Sequence, residues 1–388
     1  MARAIKLATR GRFTTSPNPN VGCVIVNDGK IVGEGWHQVA GHPHAEVNAL
    51  NQAGEQAKGA TCYVTLEPCS HFGKTPPCAD ALIKAGVGKV IAAMVDPNPQ
   101  VSGAGLEKLN AAGIATHFGL LQSDAEALNR GFIKRMKGQG AFVRCKMACT
   151  LDGKTALSNG VSQWITGPEA RSDVQRFRAQ SCAIISGADT VITDNASLNV
   201  RWDELGSVKS QLAVEDVRQP VRVIIDTQNR LEPSLKLFKQ LGQKELGQKE
   251  LGQKELGQKK PGKIILIRHH LDNRHQWPHF VEQMVVSQRH QKADLVELVD
   301  KLSNLGYNEL WIEAGATLAG AFMTEQLVDE LIIYQAPKLI GDKGKSLLNL
   351  PEHKTMDQLT DLNITDVTMV GRDIRLTAQT THDNTRRT

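Results

Sequence analysis

The residues with the clearest chemical meaning are Pro43-His44-Ala45-Glu46, then Glu67-Pro68-Cys69, then Cys78. One imidazole and two thiolates are three ligands that Zn²⁺ accepts, and a catalytic zinc site keeps its fourth tetrahedral position for water, whose pKa the metal lowers. Glu46 follows His44 by two residues, so it can lie beside the metal without binding it. It then serves as a general base, passing a proton to a ring nitrogen and helping an amine leave as ammonia. His-x-Glu followed by Pro-Cys and a second Cys is the order found in zinc-dependent base deaminases. The departure is the gap, since eight residues rather than two separate Cys69 from Cys78. Taken singly, His44 reads as a helix-start histidine, Glu46 as a capping charge and the cysteines as small buried residues. A purely structural zinc with His42 as a fourth ligand would leave Glu46 without a task.

These side chains need a scaffold, and the surrounding pattern supplies an α/β one. ARAIKLATR reads as a short helix, VGCVIVNDGKIVGEGWH as a hairpin turning at Asn27-Asp28-Gly29, and HAEVNALNQA as a helix. TCYVTLE, KVIAAMV and IATHFGL read as strands, alternating with the helices CADALIKAG and LEKLNAAG. Cys69 thus follows a strand, and Cys78 opens a helix whose positive end favours a thiolate. Near residue 140 the pattern restarts with AFVRCKMACTLDGKTA. SDVQRFRAQ, HQKADLVELVDKLSNLG and TLAGAFMTEQ are helical, while CAIISGADTVI, VRVIIDT, KIILIR, ELWIEAG and ELIIYQAPKLI are extended. The expected domains are 1–142 and 143–376, with a flexible tail at 377–388.

A length of 388 residues supports two cores, and 40% hydrophobic with 22% charged residues is ordinary globular composition. A net charge of +5 is too small to suggest nucleic-acid binding. Seven cysteines, an odd set crowded into the first half, suit thiols and a metal rather than a disulfide framework. No apolar run is long enough to cross a bilayer and the start MARAIKLATRGRF has no secretory core, so a cytoplasmic protein is expected. The first helical pattern opens close behind Met1, which suits a native start upstream of it. Residues 241–260 are four copies of a pentapeptide, LGQKE in the first three. Five residues rotate about 140° on a helix, so the leucines never share a face, and each glycine costs roughly 1 kcal/mol of helix stability. A solvated loop insertion is expected there.

With those residues in place, the chain resembles the bifunctional deaminase-reductases of riboflavin biosynthesis. The likeness rests on TCYVTLEPCSHFGKTPPC at 61–78, in which the long cysteine gap becomes an identifier. It extends through NPNVGCVIV at 18–26, HAE at 44–46, DPNPQVSGAG at 96–105, LDGKTA at 151–156, SQWIT at 162–166, EAGATLAGAF at 313–322 and APKLIG at 336–341. The resemblance implies a cytidine-deaminase-like three-layer sandwich followed by a dihydrofolate-reductase-like α/β domain, one Zn²⁺ per chain, NADPH, and a homodimer or larger homo-oligomer. The first domain would hydrolyse the 2-amino group of 2,5-diamino-6-ribosylamino-4(3H)-pyrimidinone 5′-phosphate. The second would reduce the ribosyl group of the product to ribityl. Asn18, His71 and Lys74 would bind the deaminase substrate, Asn18 at the ring and the other two at its phosphoribosyl part or ring carbonyl.

No Gly-x-Gly-x-x-Gly fingerprint follows a strand in the second half, so a Rossmann dinucleotide site is not supported. The strand ELWIEAG breaking at Gly315 into a helix offers another phosphate cradle. By the resemblance, Ala148, Trp164, Thr190, Asp194 and Thr227 would contact NADPH, together with the turn of Gly315, Ala316, Thr317, Leu318, Ala319, Gly320 and Ala321. Ser162, Arg178, Leu198, Arg201 and Glu313 would contact the reductase substrate, the arginines fixing its phosphate. Lys154 is the polar residue expected near the reacting sugar. The rival activity is a nucleic-acid base deaminase with a C-terminal binding domain, which would need a basic face rich in aromatics; aromatics are 4% of this chain.

Overall fold

In the first unit, α1 (Ala2–Ala8) precedes a hairpin of β1 (Gly22–Asn27) and β2 (Lys30–Trp36). Its Asp28-Gly29 turn has φ of 47° and 75°, as a two-residue type I′ connection requires. There follow α2 (Ala45–Ala53), β3 (Thr61–Val64), α3 (Cys78–Lys84), β4 (Lys89–Ala92), α4 (Ala104–Ala111), β5 (Ala115–Phe118), α5 (Gln122–Leu128) and α6 (Arg130–Met136). The sheet order is β2-β1-β3-β4-β5, antiparallel over the first three strands and parallel over the last three. Cys23, Ile25, Cys62, Val64 and Val90 form a buried layer with Ala49, Ala79, Leu82 and Leu109 of the helices.

The computed structural model describes residues 1–71, 76–99, 101–239 and 262–381. The chain divides into Met1–Gly140 and Ala141–Thr388, two residues ahead of the boundary expected from sequence, because the strand opening the second unit already begins at Phe142. Lys74, the pentapeptide repeat and residues 382–388 of the tail lie outside the described residues, while residues 377–380, expected in the flexible tail, are instead paired as the end of the strand Asp373–Thr380.

The second unit is built on nine strands. They are β6 (Phe142–Thr150), β7 (Ala183–Gly187), β8 (Val221–Ile225), β9 (Ile264–Arg268), β10 (Val281–Val285), β11 (Glu309–Glu313), β12 (Glu330–Ala336), β13 (Leu362–Val370) and β14 (Asp373–Thr380). Their order is β10-β9-β8-β7-β11-β6-β12-β14-β13, parallel from β10 to β12 and closed by an antiparallel β12-β14-β13 meander. The helices are α7 (Pro168–Gln180), α8 (Ala188–Asp194), α9 (Leu295–Asn304) and α10 (Ala316–Thr324). Two faces of the sheet are covered by separate buried clusters, one around Val143, Ile185, Leu298 and Phe322, the other around Val174, Ile184, Leu266 and Trp311. This is the buried parallel sheet that near-continuous apolar strands such as KIILIR require.

Three expectations change. CAIISGADTVI is not extended throughout, because the chain turns at Gly187 into α8. The helix expected from His290 starts at Leu295, where Asp294 caps it by accepting the Glu297 N–H at 3.0 Å; residues 288–293 form a small hairpin instead. The paired strands β13 and β14 had no counterpart in the sequence pattern. No helix among the described residues is long and apolar enough to cross a membrane.

Candidate active sites

The deaminase site begins with two glycines. A Cβ on Gly33 or Gly35 of β2 would sit 2.2 or 2.3 Å from the carbonyl oxygens of Ala49 or Ala45, so only glycine lets α2 rest directly on the sheet. That contact sets where α2 begins, with His44 at its N-cap and Glu46 in its first turn. The Asn48 side chain donates to the Trp36 carbonyl at 2.9 Å and holds the same end. From the other side, Cys78 opens α3, and its backbone N–H points to the Cys69 sulfur at 3.3 Å while Ala79 N–H donates to the Cys69 carbonyl at 3.1 Å.

These elements bring His44 Nδ1 within 3.2 Å of Cys78 Sγ and 3.7 Å of Cys69 Sγ. Among the described residues, these three form a group whose ligand atoms all lie within 4.8 Å of one another. His42 is exposed and outside it. A hydrogen bond from Cys78 and another from His44 outweigh burial and lower Cys69 to a pKa of about 4, while that shared bond and burial push Cys78 up. One nitrogen and two sulfurs, one already favoured as thiolate, is a donor set that suits zinc. Glu46, 3% exposed, is pushed up to about 7 by burial and then by the Cys69 charge, and it is not one of the clustered ligands. A carboxyl near neutrality can both take and return a proton at working pH.

Of the substrate residues expected here, Asn18 lies against His37, with Nδ2 at 3.1 Å from Nε2, and His37 stacks edge-on against His44 with ring centroids 5.4 Å apart. His71 is exposed. Two residues of this unit were given no role of their own by the sequence reading. His37 is one. Glu67 is the other: its buried carboxylate accepts N–H bonds from Asp96, Gly103 and Gly105 at 2.9, 3.0 and 2.8 Å, tying the DPNPQVSGAG segment to the chain just before Cys69.

The second unit holds a cavity of about 1810 Å³ where the parallel strands β6, β7, β8 and β11 end. Ligands of parallel α/β sheets bind beyond the carboxyl ends of the strands, and this volume exceeds the roughly 1,000 Å³ of an ordinary small-ligand pocket, leaving room for two. Its wall includes Ala148, Ser162, Trp164, Arg178, Thr190, Asp194, Leu198, Arg201, Thr227 and Glu313, all expected from sequence. Trp164, 65% exposed under the Arg171 guanidinium at 4.5 Å, is a wall residue and not a core one.

The 315–321 stretch needs correction. Gly315, Ala316, Thr317, Leu318 and Ala321 line the cavity, but Ala319 is fully buried in the core and Gly320 faces away. A Cβ on Gly320 would lie 2.2 Å from the Asn349 carbonyl oxygen, so this glycine serves helix-to-loop packing and not a phosphate. In the LDGKTA segment Thr155 is on the wall, and the Lys154 stem lies against Gly344, another wall residue.

Of the lysines on the wall, Lys146 pairs in register with Glu313 across β6 and β11. Arg178 holds Glu313 bidentately, Nε to Oε1 at 2.6 Å and Nη2 to Oε2 at 2.7 Å, and donates from Nη1 to the Asn199 carbonyl at 2.9 Å. The Trp311 indole N–H adds a bond to Oε1 at 2.7 Å. Burial opposes the ionised carboxyl, but Arg178, Lys146 and Trp311 prevail and hold Glu313 down at about 2. Burial lowers Lys146. Arg178 therefore spends much of its fork inside the protein, whereas Arg201, held by Glu204 through two 2.6 Å bonds and 38% exposed, keeps more of its surface toward an anion.

Fold and site together define a zinc-binding deaminase unit followed by a reductase unit. Residues 1–94 match the cytidine and deoxycytidylate deaminase zinc-binding region, and residues 141–376 match the RibD C-terminal domain. The chain is 49% identical over 377 residues to riboflavin biosynthesis protein RibD of Escherichia coli K12, covering 97% of each. It is similar to the solved structure of Acinetobacter baumannii RibD, form 1, at 42% identity and a TM-score of 0.84 over 98% of each chain. A Thermotoga maritima diaminohydroxyphosphoribosylaminopyrimidine deaminase/5-amino-6-(5-phosphoribosylamino)uracil reductase matches at 30% identity and a TM-score of 0.81, over 98% of this chain and 97% of that one. The chain belongs to the RibD family, the bifunctional deaminase-reductases of riboflavin biosynthesis, which use zinc in the first unit and NADPH in the second.

Proposed function

We propose that the first unit hydrolyses the 2-amino group of 2,5-diamino-6-ribosylamino-4(3H)-pyrimidinone 5′-phosphate and that the second reduces the ribosyl group of the product to ribityl, giving 5-amino-6-ribitylamino-uracil 5′-phosphate. The observation that carries this reading is the pairing of a His44-Cys69-Cys78 donor cluster with a buried, unligated Glu46 in one unit and a strand-end cavity sized for two ligands in the other.

Zinc held by His44, Cys69 and Cys78 supplies Lewis-acid activation of water at neutral pH. Glu46 takes one proton from the attacking water and gives it to the ring nitrogen, then takes a second from the hydroxyl so formed and gives it to the amine, which leaves as ammonia; a buried carboxyl that is not one of the clustered ligands suits this work. Asn18 contacts the ring, and His71 binds the phosphoribosyl part or ring carbonyl of the substrate, a role the family resemblance also gives to Lys74. In the second unit NADPH supplies the hydride. Ala148, Trp164, Thr190, Asp194, Thr227 and the Gly315–Leu318 turn bind that cofactor, while Ser162, Leu198, Arg201, the Arg178-Glu313 pair and Lys146 orient the sugar phosphate. Lys146 places a cation beside the ionised Glu313 and so offers a proton donor at the reacting end of the sugar.

The protein acts on small molecules and not on nucleic acid, as its modest charge of +5 suggests. It works in the cytoplasm, a reading supported by seven cysteines that are all free. It self-associates, which suits the exposed Ile364, Val367 and Met369 on β13. Purified protein given the diaminopyrimidinone phosphate should release ammonia without NADPH and oxidise NADPH only after that release. NADPH oxidation without prior ammonia release would refute the order, and neither product would refute the substrate.

A further inference from the structure

The deaminase unit contains a hydrogen-bond chain that leads from the backbone before a zinc ligand to a substrate side chain. His37 is 3% exposed. Its Nδ1 lies 3.2 Å from the Pro43 carbonyl oxygen, and its Nε2 lies 3.1 Å from Asn18 Nδ2. A carbonyl oxygen can only accept, so Nδ1 carries the ring proton. None of the ring's hydrogen-bond partners is a carboxylate that would hold a second proton, so Nε2 presents a lone pair. A lone pair needs a donor, and of the two ends of the Asn18 amide only the NH₂ donates. The amide is thereby oriented with Nδ2 toward His37 and Oδ1 turned away from it. Pro43 adjoins His44, so one backbone segment positions both a metal ligand and, through His37, this amide.

We propose that His37 is a positioning residue for deamination: by holding the Asn18 NH₂, it makes Asn18 present its carbonyl oxygen to the substrate. Asn18 then recognises an N–H or amine edge of the pyrimidine and disfavours a carbonyl at that position. Uncontrolled, an asparagine offers either end; with His37 in this tautomer it offers an acceptor. The inference rests on the reading of Asn18 as a ring contact.

The test is a double-mutant cycle on the zinc-loaded full chain, with ammonia release as the readout and zinc content plus NADPH oxidation on the deaminated pyrimidine phosphate as controls for folding. Asn18→Ala and His37→Phe should each lower the deaminase kcat/KM roughly 10- to 100-fold, and the double variant should lose no more than the worse single one. His37→Gln, whose amide oxygen can accept where Nε2 did, should recover most of the loss. Losses that multiply in the double variant, or a His37→Gln variant as damaged as His37→Phe, would overturn the positioning role. So would a loss in Asn18→Ala with none in His37→Phe, and that result would leave the ring contact standing. Full activity in Asn18→Ala would remove the ring contact itself and the inference with it. If His37→Phe does not fold, ¹⁵N spectra of the ring nitrogens in the parent protein decide: Nδ1 protonated and Nε2 bare is predicted, and the opposite tautomer contradicts it.

Discussion

The two units solve the problem of placing reactive groups in opposite ways. In the first, four side chains from two short stretches converge because glycines let one helix touch the sheet, and three of them, an imidazole and two thiols, form one donor set that suits a metal. In the second, the groups come from many strand ends and helices around a wide cavity, and the charged ones satisfy one another, as Arg178 does Glu313. The first site is a set of metal-binding donors and the second is organised around an internal ion pair, so the two should fail differently.

The largest effect is expected from Cys78→Ala. Zinc should be lost and ammonia release should fall by more than roughly a thousandfold, while NADPH oxidation on the deaminated product stays within about twofold. A parallel fall in both activities would break the contrast. Arg178→Met tests the other half, since removing one partner of a buried pair leaves an uncompensated carboxylate. Full-chain urea unfolding should show a destabilisation of about 3–5 kcal/mol, with reductase activity lost and ammonia release kept.

The same pair predicts acid sensitivity. Glu313 is held at about 2 against an ordinary value of 4.5, so its stabilisation is complete above pH 4.5 and disappears as the pH falls toward 2. That shift corresponds to about 3 kcal/mol. Unfolding measured across that window should flatten in Glu313→Gln; an unchanged slope would place the acid sensitivity elsewhere. Lys146→Met should slow NADPH oxidation about tenfold and lower the melting temperature less than Arg178→Met does, because Lys146 supports the Glu313 charge without making the bidentate bonds to it. Deleting 241–260 should change either rate by less than about twofold, as its repeat sequence, read as a loop insertion, leads one to expect.

How much could be read in advance follows the same division. His44, Glu46, Cys69 and Cys78 were legible because a metal site demands particular atoms at short spacings, and the strand and helix that carry them have clear periodicity. His37 was not, since a histidine ending a strand has no motif of its own and its partner Asn18 is 19 residues away. In the second unit, the residues on strand ends were found, but the 315–321 stretch was read as one continuous contact. A helix turns 100° per residue, so Ala319 and Gly320 had to face elsewhere. Lys146 hides inside an apolar strand, FVRCKMACT; the usable signal was that it shares a strand face with Ala148, itself expected on the cavity. The edge pair β13 and β14 was missed because the apolar residues of β13, Ile364, Val367 and Met369 among them, stay exposed and mark no buried face.

The central claim is that Glu46 moves protons at a metal it does not bind. In the zinc-loaded Glu46→Gln variant, ammonia release from the diaminopyrimidinone phosphate should drop by about 100- to 10,000-fold, with one zinc per chain retained and NADPH oxidation on the deaminated product unchanged. Ammonia release at the parent rate, or loss of zinc along with activity, would contradict it.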